Sequence, residues 1–409
     1  MNLRTAWRLV SVAVSLFIAG STLSLSLPVA AQEALTVAES PARKPTMIDA
    51  RVVGDDSRIR FIADLSATVD MNVSTLADPY RIVVDMPDVR FALPEAAGTE
   101  GRGLASAFRY GSISAGKSRI VIDVRAPVAI DKAFVVEPTD GQPARLVIDA
   151  VPTTREKFLE TARLNRPERP ADETAASGGN GAGLPVVVID PGHGGIDTGA
   201  KGDGGTLEKD IVLGFGRTLG SRLMETGRYK VVFTRRDDTF IPLGDRVKIA
   251  RNNQAKLFVS IHANSFPGSE IRGAIIYTAS DQASDKMAAD LAASENQSDA
   301  LAGIDVAAED SDQVKDILFD LTRRETRNFG VVFAQNLVRE LGKSTRMFKV
   351  PHQQAAFKVL EAPDVPSALI ELGYLTNAAD EKLMASPEWQ QKAAASVVGA
   401  NVIGCTQAQ

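Results

Sequence analysis

The chain has 409 residues, of which 44% are hydrophobic and 24% charged, and its formal net charge is −5. This length exceeds what one hydrophobic core usually supports, so two soluble globular domains with connecting segments are expected. A weakly acidic chain offers no basic field for polyanions, which argues against nucleic-acid binding. The single cysteine, Cys405, excludes an intramolecular disulfide.

The first 31 residues have the layout of a secretion signal. Arg4 and Arg8 precede an apolar run over residues 9–19, and small residues follow up to Ala31. A retained membrane anchor is the alternative, but the apolar run is shorter than the ~20 residues that a spanning helix needs. We therefore predict a signal peptide over residues 1–31 and no stable membrane anchor after its cleavage.

A small all-β sandwich domain is predicted over residues 48–151, after a flexible lead over residues 32–47. Runs rich in β-branched residues alternate there with turn-forming segments. Three runs repeat one pattern, in which arginine and aspartate flank an apolar centre. Such runs are typical of strands that are buried in the middle and solvated at both ends. The repeats lie at 81–85, 119–123 and 145–149, and strands are predicted at 58–65, 80–86, 118–125, 133–136 and 145–150.

Residues 152–184 are rich in proline, charged residues, and small polar residues. This composition predicts a linker that tethers two independent domains. From residue 185 to residue 405 strand-like and helix-like segments alternate, which predicts an α/β domain with a mostly parallel sheet. Strands are expected at 186–189, 230–234, 257–261, 274–277 and 368–371, and helices at 211–223 and 387–402.

Two of the three histidines, His193 and His262, follow predicted strands of this domain. The carboxyl ends of parallel strands form the ligand-binding edge of a sheet, so both imidazoles can reach one crevice. Glu208, at the start of a predicted helix, can add a carboxylate, and two imidazoles with one carboxylate are a common catalytic zinc set. For either histidine alone, a hydrogen-bonded loop residue is the alternative. His352 is interpreted as a loop or substrate-groove residue.

Glu371 ends the apolar run at residues 367–371. An acidic residue at this position either solvates the end of the strand or faces the metal. In the second case it can take a proton from the attacking water and deliver one to the leaving amine.

The segment 186–403 resembles the zinc-dependent N-acetylmuramoyl-L-alanine amidases of the amidase 3 type, which act in cell separation. The resemblance rests mainly on the motifs at 190–195, 260–264 and 366–371. It implies one zinc ion bound by His193, Glu208 and His262, and it implies that Glu371 is the catalytic glutamate. The implied reaction is hydrolysis of the amide between N-acetylmuramic acid and the L-alanine of the stem peptide.

The β-rich region resembles, less specifically, the AMIN domain that precedes such amidases, mainly through residues 79–85. This resemblance implies a peptidoglycan-binding module that recruits the enzyme to the division septum in the periplasm.

An insertion is predicted at about 278–330, where helical composition surrounds an acidic stretch. Surface helices that decorate the fold are the alternative. The resemblance implies that a glutamate of the insertion can complete the zinc shell and that a LytM-type activator protein relieves the block. Glu295 is our candidate, and Asp290 and Glu309 are also in range.

Two other functions remain open at this point. A catalytically silent peptidoglycan-binding protein would keep the fold without the chemistry, although all three implied ligands and the glutamate are present. A zinc hydrolase that acts on another wall amide is the second alternative, and the absence of a His-Glu-x-x-His motif disfavours its peptidase version.

Overall fold

A computed structural model describes residues 44–94, 96–114, 116–139, 141–164, 183–266, 268–304 and 317–400. The predicted signal peptide, almost all of the predicted lead and Cys405 lie outside these ranges. Among the described residues, no helix is long and apolar enough to cross a membrane.

The N-terminal part is built from two stacked sheets. One has the strand order β5-β1-β2-β9-β8 and the other β3-β4-β7-β6. Alternating residues such as Phe61, Ile82, Ile120 and Ile148 meet between them in one apolar core. These strands support the predicted all-β domain. Their bounds are β1 (Thr46–Gly54), β2 (Ile59–Leu65), β3 (Asn72–Leu76), β4 (Arg81–Pro87), β5 (Arg90–Phe91), β6 (Ala105–Ser114), β7 (Lys117–Val124), β8 (Val128–Val136) and β9 (Ala144–Pro152).

The repeated arginine and aspartate residues pair across neighbouring strands. In the antiparallel register of β4 and β7, Arg81 lies opposite Asp123 and Asp85 lies opposite Arg119. The prediction that these strand ends are solvated is wrong for two arginines, since Arg81 is 3% and Arg119 1% exposed. Other parts of the chain cover them, as described below.

The predicted linker differs from the structure in its first part. Helix α1 (Arg155–Leu164) follows β9, and Phe158 is buried in the core of the β domain. Its ring packs edge-on against Tyr80, with 5.0 Å between ring centroids. One well-placed aromatic residue therefore anchors a helix that composition alone assigned to the linker. Residues 165–182 lie outside the described residues.

The C-terminal part is an α/β domain, as predicted. Its sheet has the strand order β11-β10-β12-β15-β13-β14, and four of its five strand pairings are parallel, with β13 antiparallel to β15. The strands are β10 (Val186–Pro191), β11 (Lys230–Phe233), β12 (Leu257–Asn264), β13 (Ala274–Ala279), β14 (Met347–Ala355) and β15 (Ser367–Tyr374). The helices are α2 (Glu208–Glu225), α3 (Leu243–Asn252), α4 (Lys286–Glu295), α5 (Ser298–Leu301), α6 (Ile317–Leu341), α7 (Ala378–Met384) and α8 (Pro387–Gly399).

Helices cover both faces of this sheet, which explains why its central strands are mostly apolar and buried along their whole length. On one face, α2, α6 and α8 contribute Phe215, Phe333 and Trp389 to a core with the strand residues. On the other face, α3 and α4 contribute Leu243 and Ala292. The buried sheet leaves the carboxyl ends of β10, β12 and β15 at one shared edge.

The two domains are in contact rather than merely tethered, which differs from the prediction. Val83 and Val121 of the β domain share a buried apolar cluster with Ile196 and Phe240 of the α/β domain. The amino-acid composition of residues 152–184 does not show whether the domains on either side pack against each other.

Candidate active site

The loop that follows β10 is fixed by a buried carboxylate. Asp190 has no exposed surface and accepts hydrogen bonds from Thr234 Oγ1 (2.6 Å), Ser260 Oγ (2.7 Å) and Arg246 Nη1 (2.8 Å). Burial raises the pKa of Asp190, but the Arg246 charge and the two hydroxyl donors outweigh burial and hold this pKa below its ordinary value. The carboxylate therefore stays ionised and orders the start of the loop.

Two buried arginines hold the backbone of the same loop. Arg246 donates from Nη2 to the carbonyl of His193 at 2.8 Å, and Arg235 donates from Nη2 to the carbonyl of Gly192 at 2.8 Å. His193 has φ of 57°, a left-handed conformation that non-glycine residues adopt only when their surroundings impose it. Gly192 is required for a different reason, because a Cβ there would lie 2.4 Å from Nε2 of His262. The loop is thus shaped to bring one histidine against the other.

Four ligand-type atoms converge at the shared edge of the sheet. His193 Nε2 lies 3.0 Å from Glu208 Oε1 and 3.5 Å from Glu295 Oε2. His262 Nδ1 lies 3.2 Å from each of the same two oxygens. Ligand atoms of His193, His262 and Glu295 all lie within 4.8 Å of one another.

Not all of these contacts are ordinary hydrogen bonds. His193 Nε2 is buried and has no hydrogen-bond partner among the described residues, although Glu208 Oε1 is only 3.0 Å away. The nitrogen and the carboxylate oxygens therefore point toward a shared position rather than directly at each other. Two imidazole nitrogens with carboxylate oxygens are a donor set that suits zinc.

Neighbouring groups hold the converging side chains in place. Asp197 Oδ2 lies 2.9 Å from His193 Nδ1, which leaves Nε2 facing the cluster. Glu208 accepts from the backbone N–H of Ala263 at 2.9 Å and of Ala200 at 2.8 Å. Sequence reasoning missed Asp197, and an acidic residue four positions after the histidine was the available signal. Carboxylates that orient a histidine in this way commonly support metal ligands.

The ionisation of the cluster reflects its excess of acidic groups. Burial lowers the pKa of His193, but the charges of Asp197, Glu208 and Glu295 outweigh burial and raise this pKa well above its usual value. For Asp197 burial raises the pKa, yet the neighbouring His193 lowers it to about 2. The pKa of Glu295 is raised, first by burial and then by Glu208 and Asp197. A cation among these carboxylates would relieve their mutual repulsion.

Glu371 lies beside this cluster. It is in register with His262 on the adjacent parallel strand, is fully buried, and has no hydrogen-bond partner for either carboxylate oxygen among the described residues. Burial raises its pKa well above the usual value, and the charges of Glu208 and Glu295 raise it further. A carboxyl group with a raised pKa holds a proton more readily than an exposed glutamate does, which is the property that a general acid or base needs.

Comparisons with known proteins identify the family of the chain. The family described as N-acetylmuramoyl-L-alanine amidase matches residues 187–400, which is more than half of the chain. The chain belongs to this amidase family. The N-acetylmuramoyl-L-alanine amidase AmiC of Neisseria meningitidis serogroup B is 32% identical over 398 residues, which cover 93% of each protein.

Two further relatives cover about half of this chain. The N-acetylmuramoyl-L-alanine amidase AmiA of Escherichia coli is 39% identical over 217 residues, which cover 53% of this chain and 74% of that protein. The solved structure of the amidase AmiC2 of Nostoc punctiforme is 28% identical, covers 56% of this chain and 99% of that chain, and has a TM-score of 0.40.

Two of the remaining predicted residues, Asp290 and His352, lie away from the cluster in the described structure. Asp290 is on α4 but is exposed and pairs with Lys286 at 2.6 Å. Glu309 lies outside the described residues. His352 is not in a loop, because it lies in β14, where its Nε2 is 3.0 Å from Thr278 Oγ1. Of the three acidic candidates, only Glu295 is placed by the described structure against the two histidines.

A cleft of about 1180 Å³ adjoins the cluster of the amidase. His193 and Glu295 line it, together with Phe266 and Lys201. Residues of the β domain, among them Tyr110, also line it. The cleft is about as large as the ligand pockets of proteins, and Glu295 lines it whereas His262 does not.

Proposed function

We propose that this amidase uses zinc to hydrolyse the amide between N-acetylmuramic acid and the L-alanine of peptidoglycan stem peptides, in wall remodelling and daughter-cell separation. Family membership and the printed names of its relatives support the reaction. The observation that carries the zinc assignment is His193 Nε2, a buried nitrogen without a hydrogen-bond partner among the described residues, which faces a second imidazole and two carboxylates. Because these nitrogen and oxygen donors are all present, a peptidoglycan-binding protein without catalytic activity is disfavoured.

We assign His193 Nε2, His262 Nδ1 and Glu208 Oε1 as the zinc ligands. When bound, zinc polarises the scissile carbonyl and lowers the pKa of water to about 7. The contribution of this chain is to keep the donors together, because Asp197 fixes the orientation of His193 and the backbone amide of Ala263 fixes Glu208. Arg246 and Arg235 keep the loop before His193 in the shape that allows this.

Glu371 is assigned the proton transfer. Its unpartnered, fully buried carboxyl group is beside His262, and its raised pKa suits a group that both takes and gives a proton. It accepts a proton from the attacking water and delivers one to the amine of L-alanine as the carbon–nitrogen bond breaks. Without this delivery the leaving group would be an amide anion, which is a very poor leaving group.

The described conformation is assigned to a self-inhibited state. We define the inhibitory segment as residues 286–304, which contain α4 and α5. Glu295, the last residue of α4, puts Oε2 3.2 Å from His262 Nδ1 and 3.5 Å from His193 Nε2. A fourth protein ligand there takes the position that the attacking water needs. A LytM-type activator protein would then act by binding the open form more tightly than the closed one.

The assignments for the rest of the chain rest on sequence resemblance. Residues 1–31 are proposed to export the protein to the periplasm. The β domain is proposed to be an AMIN domain that binds peptidoglycan and recruits the enzyme to the septum. Its sandwich of two mostly antiparallel sheets is compatible with this assignment.

The zinc assignment is tested by metal analysis and by hydrolysis of dye-labelled sacculi with the purified full-length protein. We expect about one zinc per chain, which His262→Ala should lose together with all hydrolysis. Full zinc occupancy and full activity of His262→Ala would overturn the assignment.

The self-inhibition is tested with a pair of variants on the same helix. Glu295→Ala should keep zinc and raise basal hydrolysis, because it frees a coordination position. Asp290→Ala is the matched control, since Asp290 is exposed and bonded only to Lys286 in the described contacts, and it should leave the basal rate unchanged. An equal rate in the wild type and Glu295→Ala would refute self-inhibition.

A further inference from the structure

One sheet of the β domain lies directly against the end of the inhibitory segment. Val83 and Val121 of this sheet pack in a buried cluster with Ala302 and Ile304. The fit is close at Gly303, where a Cβ would lie 3.1 Å from Val121 Cγ2 and 3.2 Å from Val83 Cγ2. The end of the inhibitory segment is therefore packed against the β domain, while Glu295 contacts His193 and His262.

Three arginines of this sheet reach the carbonyl groups at the end of α5. Arg81 donates to the carbonyl of Ala300, and Arg109 Nε donates to that of Leu301 at 2.6 Å. Arg119 Nη1 donates at 3.1 Å to each of the next two carbonyls, those of Ala302 and Gly303. Carbonyls at a helix C-terminus lack partners within the helix and attract cations, so four consecutive acceptors meet a row of donors.

Two of these arginines are held in position by aspartates. Arg109 forms a two-pronged pair with Asp123, at 2.5 and 2.9 Å, and Arg119 forms one with Asp85, also at 2.5 and 2.9 Å. A guanidinium held in this way loses little further freedom when its remaining N–H groups bind α5. The arginine and aspartate repeat of the sequence thus has a role beyond joining strands.

The same domain also touches the loop that carries His193. The carbonyl of Ser112 accepts from the backbone N–H of Ile196 at 3.3 Å and of Phe240 at 3.4 Å. Two glycines make this approach feasible, since a Cβ on Gly111 would lie 2.3 Å from the nitrogen of Ile196 and one on Gly195 would lie 1.9 Å from the carbonyl oxygen of Ser112. No side chain fits between the two backbones.

The inhibitory segment also contacts the loop of His193 through α5. Ser298 donates to Asp197, the carboxylate that orients His193, and Asp299 accepts from the N–H of Leu243 at 2.9 Å. Residues 295–304 are therefore anchored at Glu295, at Ser298 and at the arginine row. Displacing one anchor strains the others, because α5 begins only three residues after Glu295.

We propose that the sheet β3-β4-β7-β6 is a docking surface for residues 298–304 of the same chain and that this docking keeps Glu295 against the metal-binding histidines. The proposal rests on the self-inhibition described above and extends it. The β domain then has two tasks, recruitment to the wall and restraint of the catalytic domain. Any ligand that pulls the β domain or α4–α5 away favours the open form, so wall binding and activator binding are coupled.

The test uses a matched pair of full-length variants. Arg109→Ala removes the donor to Leu301, whereas Arg145→Ala removes an aspartate-paired arginine of the other sheet, bonded to Asp64 at 2.7 Å. Hydrogen–deuterium exchange at residues 298–304 and basal hydrolysis of sacculi are measured for both. We expect Arg109→Ala to raise both the exchange at residues 298–304 and the rate of basal hydrolysis roughly fivefold. A change of this size corresponds to the loss of one partly exposed charge-assisted hydrogen bond. Arg145→Ala should change neither.

A second variant adds a side chain at the same interface, where the backbones of the two domains are in close contact. Gly111 lies within strand β6 and does not have a positive φ, so the β domain itself should accept Gly111→Val. The new side chain collides only across the interface, and exchange at residues 298–304 should rise again.

The outcomes separate this proposal from the self-inhibition on which it rests. If Glu295→Ala raises hydrolysis while Arg109→Ala and Gly111→Val leave exchange at residues 298–304 unchanged, the docking proposal is wrong and self-inhibition stands. If Glu295→Ala raises nothing, self-inhibition itself is wrong. If docking acts through Glu295, the double variant of Arg109→Ala and Glu295→Ala is no more active than Glu295→Ala alone. A further large increase in the double variant would overturn that link.

Discussion

Replacing Arg246 by methionine should destabilise the catalytic domain strongly. Arg246 is 2% exposed and pairs at 2.8 Å with Asp190, which has no exposed surface. It also donates to the carbonyls of Ile241, Pro191 and His193 at 2.8 to 2.9 Å. Removing one partner of a buried pair leaves an uncompensated charge, which typically costs about 3–5 kcal/mol. We expect the free energy of unfolding to fall by this amount.

Urea denaturation followed by tryptophan fluorescence measures this change directly. The chain contains two tryptophans, Trp7 and Trp389, and only Trp389 remains once residues 1–31 are removed. Trp389 is 8% exposed in the core of the catalytic domain, so its emission reports on that domain. Linear extrapolation to zero urea then gives the free energy of unfolding of each variant.

The matched control for this prediction lies on the same helix. Arg251 pairs with Asp364, and both side chains are close to half exposed, so Arg251→Met should cost no more than about 1 kcal/mol. Adding Asp190→Asn to Arg246→Met should restore part of the lost stability, because it removes the unpaired charge. A loss below about 1 kcal/mol in Arg246→Met would refute the view that this pair holds the loop before His193.

Three further predictions concern the site itself. Asp197→Ala should weaken zinc binding about 10- to 100-fold in chelator competition, and unchanged affinity would show that it does not orient its histidine. Glu371→Gln should keep zinc and the fold but lower hydrolysis ~10²- to 10⁴-fold, and an active variant would reassign the proton transfer. Gly192→Ala should displace His262 and lower zinc content, because its Cβ would lie 2.4 Å from the ring. Gly214→Ala is its control, with no neighbour closer than 3.5 Å.

The sequence predicted that His193, His262 and Glu371 lie close together, because the ends of strands position all three. His193 and His262 follow apolar runs that form β10 and β12, and parallel strands bring their carboxyl ends to one edge. Glu371 ends the apolar run of the next strand in the sheet, so its position beside His262 follows from strand order. The contact of Glu295 with the two histidines required the structure, since three acidic residues were in range by sequence.

Other elements could not be predicted because their signals are tertiary. Strand β6 was missed because two register shifts interrupt its alternation and Gly111 faces another domain instead of a core. Strand β14 was missed because polar residues fill much of it, and His352 was interpreted as a loop or substrate-groove residue. Helix α1 depends on one buried aromatic residue, Phe158, within a segment of charged residues. The residues that form the interface between the domains show no periodic pattern in the sequence.

The central claim is the bond that this amidase cleaves, and mass analysis of digested sacculi tests it most directly. The zinc-loaded full-length Glu295→Ala variant is used, with His262→Ala as the inactive control. We expect release of intact stem peptides with a free N-terminal L-alanine, and glycan strands that keep complete N-acetylmuramic acid. Cleaved peptide bonds within the stem, or shortened glycan with peptides still attached, would contradict it.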